Sequence, residues 1–95
     1  MIERHVTFDV ISGKESAFEQ FFKNEYSLAM AVKEGFVKTS LLHDLENPSQ
    51  YRMVICFDTL ENAAAWRESA EHQALKPKLT NLYKESNLKV FEVIA

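Results

Sequence analysis

Hydrophobic and polar positions first alternate with a period of two. Val6, Phe8 and Val10 share one parity and His5, Thr7 and Asp9 the other, which predicts a half-buried strand over Ile2 to Ile11. The pattern then changes to a helical one. Ser12-Gly13-Lys14-Glu15 reads as a capping box, and Ala17, Phe18, Phe21, Phe22, Glu25, Leu28 and Met30 mark successive turns. Glu34-Gly35 supplies a left-handed stop, so helix one is expected from about Lys14 to Lys33. A second strand is predicted over Phe36 to Glu46, with Val37, Thr39, Leu41 and Leu45 on one parity and His43 breaking the apolar set. The turn Asn47-Pro48-Ser49-Gln50 leads into the β-branched and aromatic run Tyr51 to Phe57, which makes an antiparallel hairpin.

Asp58-Thr59-Leu60-Glu61 offers a further cap, opening the helix-favouring run Ala63-Ala64-Ala65-Trp66. Because Pro77 has no N–H to donate, the chain is expected to bend around Glu71 to Lys76. Pro77 then falls in the first turn of another helix, with Leu75, Leu79, Leu82 and Tyr83. Leu88 to Ile94 is the last predicted strand. The order βαββαβ predicts an α+β, ferredoxin-like fold: a four-stranded antiparallel sheet with helices on one face. In strand three, Tyr51, Met53, Ile55 and Phe57 oppose Val54 and Cys56, so both parities read as apolar. A one-sided sheet needs a polar outer face, and the cheapest cover for an apolar one is a second copy across a two-fold axis.

Composition narrows the function classes. The 95 residues make one domain (residues 1–95), with 46% hydrophobic and 12% aromatic residues and only two glycines and two prolines. Eleven Lys and Arg against fourteen Asp and Glu leave no basic stripe for nucleic acid. The polar N-terminus and the lack of a long apolar run argue against a signal peptide and a membrane span, so a cytoplasmic protein is expected. Cys56 stands alone and reads as a small buried hydrophobe rather than a nucleophile. Metal binding is not expected, because no HxH or HxxxH spacing occurs, and His5 and His43 read as strand residues that could face a dimer interface. There is no glycine-rich phosphate loop and no GxSxG elbow, and Glu68 and Glu71 read as solvated helix charges.

Four stretches carry a family resemblance: Val10-Ile11-Ser12-Gly13-Lys14-Glu15, Gly35-Phe36, Asn47-Pro48, and the more specific Trp66-Arg67-Glu68-Ser69-Ala70-Glu71-His72. Over nearly the whole chain the sequence resembles the antibiotic biosynthesis monooxygenase domains of the dimeric α/β barrel superfamily. The resemblance implies a homodimer with facing sheets and a cavity in each subunit between helices and sheet. It also implies cofactor-independent oxidation of a small aromatic or quinone-like molecule, in which the protein deprotonates the substrate, stabilises the anion and excludes water. Asn62 and Trp66 match the pocket-lining Asn and Trp of the polyketide-oxidising members, and His72 stands where those carry an aromatic hydroxyl. His72, Trp66 and Asn62 are thus the candidate catalytic residues, His72 as base and Asn62 or Trp66 as donor to the oxyanion. Asn62, Trp66 and Ser69 fall at i, i+4 and i+7 on one helix face, and Ser69, Phe8 and Phe22 are the candidate substrate contacts.

Other readings stand beside these. Trp66 also suits a core anchor, Asn62 a helix-end partner, His72 a partner for terminal carbonyls, and Phe18, Phe21 and Phe22 the core. The fold also hosts non-catalytic small-molecule binding proteins, stress-response proteins and haem-degrading oxygenases. The haem-degrading members use a strand-one Asn where this chain has Val6, and a longer Trp-to-His interval. A cavity of about 300 Å³ or more with Trp66 and His72 facing inward distinguishes ligand chemistry from a purely structural dimer.

Overall fold

A computed structural model describes residues 1–95. The chain runs β1 (Ile2–Val10), α1 (Glu15–Phe21), a π-helical turn (Phe22–Tyr26), α2 (Ser27–Ala31), β2 (Phe36–His43), β3 (Gln50–Phe57), α3 (Leu60–Glu68), α4 (Ala70–Thr80) and β4 (Tyr83–Glu92). The strands form one antiparallel sheet in the order β2-β3-β1-β4, the ferredoxin-like arrangement. The helices pack on one face. There Phe8 and Val10 of β1 and Tyr51, Met53, Ile55 and Phe57 of β3 meet Phe18, Phe21, Phe22, Tyr26, Met30, Trp66 and Leu79 in one buried cluster.

Local chemistry moves several boundaries from where periodicity places them. No side chain caps α1, because the turn through Gly13 (φ 92°) makes Lys14 the cap residue and leaves Ser12 two positions before it. Glu15 still reaches back, accepting from the Gly13 N–H at 2.8 Å. The predicted bend before Pro77 comes earlier. Ser69 has extended backbone (ψ 151°), ends α3 and caps α4, while Pro77 lies inside α4 rather than in its first turn. The last strand begins at Tyr83, five residues before the predicted start, because pairing with β1 from Val10↔Tyr83 to Ile2↔Glu92 extends it. Strand β2 stops at His43, where Asp44 turns the chain by accepting from the Glu46 and Asn47 N–H groups.

The outer face of the sheet is mixed rather than apolar. By register it carries Glu3, His5, Thr7 and Asp9 of β1, Arg52, Val54 and Cys56 of β3, and Lys89 and Phe91 of β4. His5 Nε2–H donates to the Glu3 carboxylate at 2.8 Å, and the ring packs edge-on against Phe91. His43 is not on this face: it pairs with Tyr51 in the row facing the helices, stacks on that ring at 4.3 Å and bonds the Pro48 carbonyl at 2.7 Å. Cys56 is a free, fully buried thiol whose pKa burial pushes up, as suits an inert packing residue. No helix is long and apolar enough to cross a membrane.

Candidate active site

The helices do not reach the β4 edge of the sheet, so Leu88 and Val90 remain exposed although they share the rows of Val6 and Arg4. Between that edge and the helices lies a cavity of about 190 Å³. Its floor is Val6 and Phe8 of β1 with Met53 and Ile55 of β3. Tyr26 of the π turn, Trp66 of α3 and His72 of α4 form the helix side. Trp66 and His72 face inward as expected, but the volume is below the roughly 300 Å³ expected for ligand chemistry, and it leaves room for an occupant of no more than one or two fused rings.

Three backbone devices aim the helix-side residues. Thr59 caps α3 by accepting from the Asn62 N–H at 3.1 Å, so the helix starts in a register that turns Ala63 and Trp66 onto the sheet. Ser69 then performs two tasks: its Oγ donates to the Trp66 carbonyl at 2.7 Å and accepts from the His72 N–H at 3.2 Å. That hydroxyl couples the end of α3 to the start of α4 and brings the His72 ring edge-on to Trp66, with centroids 5.1 Å apart. The π turn places Tyr26 beside both rings, 5.4 Å from Trp66 and 5.9 Å from His72.

The electrostatics of the cavity differ from those of the chain. Trp66 is only 1% exposed and Arg4 7%. The three buried side-chain nitrogens that lack a hydrogen-bond partner are Arg4 Nε, Trp66 Nε1 and His72 Nδ1, and all three residues line this one cavity. Buried polar atoms without partners are uncommon, and three of them meet here. Burial first, then the charges of Arg67, Lys76 and Arg4, lower the His72 pKa below its ordinary 6.5. The imidazole is therefore neutral at pH 7 and able to accept a proton. Burial pushes the Tyr26 hydroxyl up to about 12, which keeps it protonated and removes it as a base.

The sequence candidates separate into two groups. Trp66, His72 and Phe8 line the cavity. Asn62 does not: its side-chain amide donates to Asp58 Oδ1 at 2.8 Å and lies against Gly35, closing the junction between β2 and α3. Ser69 acts on the backbone, and Phe22 packs in the core, neither lining the cavity. Sequence reasoning missed Arg4 and Tyr26. Arg4 had a signal, a cation on the apolar parity of Val6, Phe8 and Val10. Tyr26 had one too, the four-residue series Phe18, Phe22, Tyr26, Met30. No group of three or more His, Cys, Asp or Glu is placed to hold a metal ion.

Comparison with known proteins bears on the fold and the family. No curated protein matches the chain. Among solved structures, the cofactor-independent oxygenase SnoaB from Streptomyces nogalater superposes with a TM-score of 0.89 at 18% identity, covering 99% of this chain and 93% of that one. A proposed antibiotic biosynthesis monooxygenase from Nitrosomonas europaea has a TM-score of 0.88 at 16% identity, covering 100% of both chains. One from Bordetella bronchiseptica has 0.86 at 22% identity, covering 99% and 97%. At these identities the superpositions establish the fold. The family model for antibiotic biosynthesis monooxygenase matches residues 1–78, a span that includes Arg4, Tyr26, Trp66 and His72, and the chain belongs to that family.

Proposed function

We propose that the protein is a cofactor-independent monooxygenase that oxidises a small aromatic or quinol-like ring in the cavity between α3, α4 and the sheet. The observation that carries this reading is the convergence of unpartnered Trp66 Nε1 and neutral His72 Nδ1 on one cavity. His72 takes the proton of a ring hydroxyl, and the Trp66 N–H donates to the oxygen that becomes anionic. The electron-rich ring carbon then gives an electron pair to molecular oxygen, forming a peroxide. Loss of the C–H proton with cleavage of the O–O bond leaves one oxygen atom in a carbonyl and the other in water. The apolar walls Val6, Phe8, Met53 and Ile55 keep bulk water from the anion. The likeness to SnoaB, described as a cofactor-independent oxygenase, supports this reading.

The functional unit in this reading is a homodimer, as the family resemblance implies, with the outer sheet face around Val54 and Phe91 covered by a second copy. A reducing, cytoplasmic setting fits the lone free thiol of Cys56. The test is oxygen uptake with one- and two-ring quinols. His72→Gln is expected to lower uptake by a factor of about 100 or more. Uptake no faster than the protein-free blank with every substrate defeats the oxygenase reading. One observation favours a second reading, a binding protein without turnover: the Asn62 amide is committed to Asp58 rather than to the cavity. That reading requires ligand binding with no oxygen consumed.

A further inference from the structure

Arg4 sits in the middle of the sheet, opposite Ile55 on β3 and Val90 on β4, so both neighbours in its row are apolar. Its side chain takes part in none of the hydrogen bonds or ion pairs within the chain, its Nε is buried without a partner, and the residue is nine-tenths buried. A guanidinium keeps its charge at any physiological pH, so this is a buried cation without a counter-ion, a costly arrangement that a fold does not need for its own sake. The rest of the cavity does not balance it. No Asp or Glu lines the space, whereas Arg67 and Lys76 add two exposed cations at its rim. The cavity is thus locally cationic in a chain whose net charge is −3.

We propose that the ligand of this cavity is an organic acid: one or two fused aromatic rings bearing a carboxylate that pairs with the Arg4 guanidinium. The planar fork of arginine matches a carboxylate in a bidentate pair, and Val6, Phe8 and Leu88 supply apolar contact for the ring. Arg67 and Lys76 draw the anion toward the mouth. His72 and Tyr26, which also face the pocket, bring no negative charge at neutral pH. A carboxylate arrives already ionised, whereas a phenol has to lose a proton first, so the permanent charge of Arg4 suits the former. This inference rests on the reading of the cavity as the ligand site and names the class of molecule it takes.

The experiment is calorimetric titration of the intact protein with 2-naphthoate and its neutral isostere 2-naphthamide. The acid is expected to bind at least 10-fold tighter than the amide. Arg4→Met should bring the two affinities within about 2-fold and raise the thermal midpoint of the ligand-free protein, since it removes an uncompensated buried charge. The exposed substitutions Arg67→Gln and Lys76→Gln, which leave the core untouched, should weaken the acid several-fold and the amide not at all. Equal affinity for acid and amide, or a preference for the acid that survives Arg4→Met, overturns the proposal while leaving the cavity a ligand site. Failure of both rings to bind defeats the ligand-site reading and this inference together.

Discussion

At the scale of single residues, His72 has two pH-dependent consequences from one cause. Its folded pKa lies below 6.5 because burial and then Arg67, Lys76 and Arg4 oppose its protonation. Oxygen uptake that depends on the neutral ring should therefore be flat above pH 6.5 and fall only as the pH drops toward the folded value. Stability moves in the same direction. The unfolded chain binds the proton near 6.5 and the folded chain only at lower pH, so the fold loses stability as pH falls through that interval. His72→Gln should remove that part of the pH dependence of the urea midpoint along with the uptake.

Gly35 is the clearest residue-level requirement for folding. Its φ is +79°, and an added Cβ would lie 2.2 Å from Asp58 Oδ1 and 2.4 Å from Asn62 Nδ2. Gly35→Ala should cost at least about 2 kcal/mol in urea denaturation, since left-handed backbone alone costs about 1–2 kcal/mol for a residue with a Cβ. The same contact explains Asn62. Asn62 stands four residues before Trp66 in α3, but Gly35 and Asp58 take its amide for the β2 to α3 junction.

At the scale of elements, the helix after β1 shows why periodicity alone misplaced part of the site. Phe18, Phe22, Tyr26 and Met30 recur every four residues and are all buried. In a continuous α-helix of about 3.6 residues per turn such a series drifts around the axis. The π turn over Phe22–Tyr26 absorbs the drift and keeps Tyr26 over the cavity while Met30 stays in the core. Ser69 is the matching device on the other side. Ser69→Ala should cost about 1 kcal/mol of stability through the lost cap, measured by chemical denaturation, and Ser69→Asp should restore most of it. The alanine variant should also weaken ring binding, because the hydroxyl sets the spacing of Trp66 and His72.

At the scale of the whole molecule, the sheet leaves one face without helices. That face carries the Glu3–His5 pair and Arg52 as well as Val54, Cys56 and Phe91, so the apolar patch expected from strand β3 is interrupted by charge. In the proposed dimer a two-fold pairing of such faces buries Val54 beside Glu3, His5 and Arg52 of the two central strands, with Phe91 on the edge strand β4. Gel filtration should give about twice the 11.0 kDa chain mass, and Val54→Lys, at the centre of the face, should shift the protein to the monomer volume. A wild-type elution near 11.0 kDa would rule out the dimer.

Alternation and capping signals were enough to specify the element order, the helix-facing rows of β1 and β3, and the ferredoxin-like topology, because each depends on neighbours a few residues apart. Trp66 and His72 were likewise legible, six residues apart on one stretch. Their meeting with Arg4 and Tyr26 was not, since it joins β1, the π turn, α3 and α4 through packing between distant segments. The sequence by itself determined the inward apolar rows of β1 and β3. Only the tertiary structure decided which inward polar groups find partners: Asn62 finds Asp58, while Arg4, Trp66 and His72 are left open to one cavity. The reason is physical: burial follows from local pattern, but satisfaction of a buried polar atom depends on what the rest of the chain brings within hydrogen-bond distance.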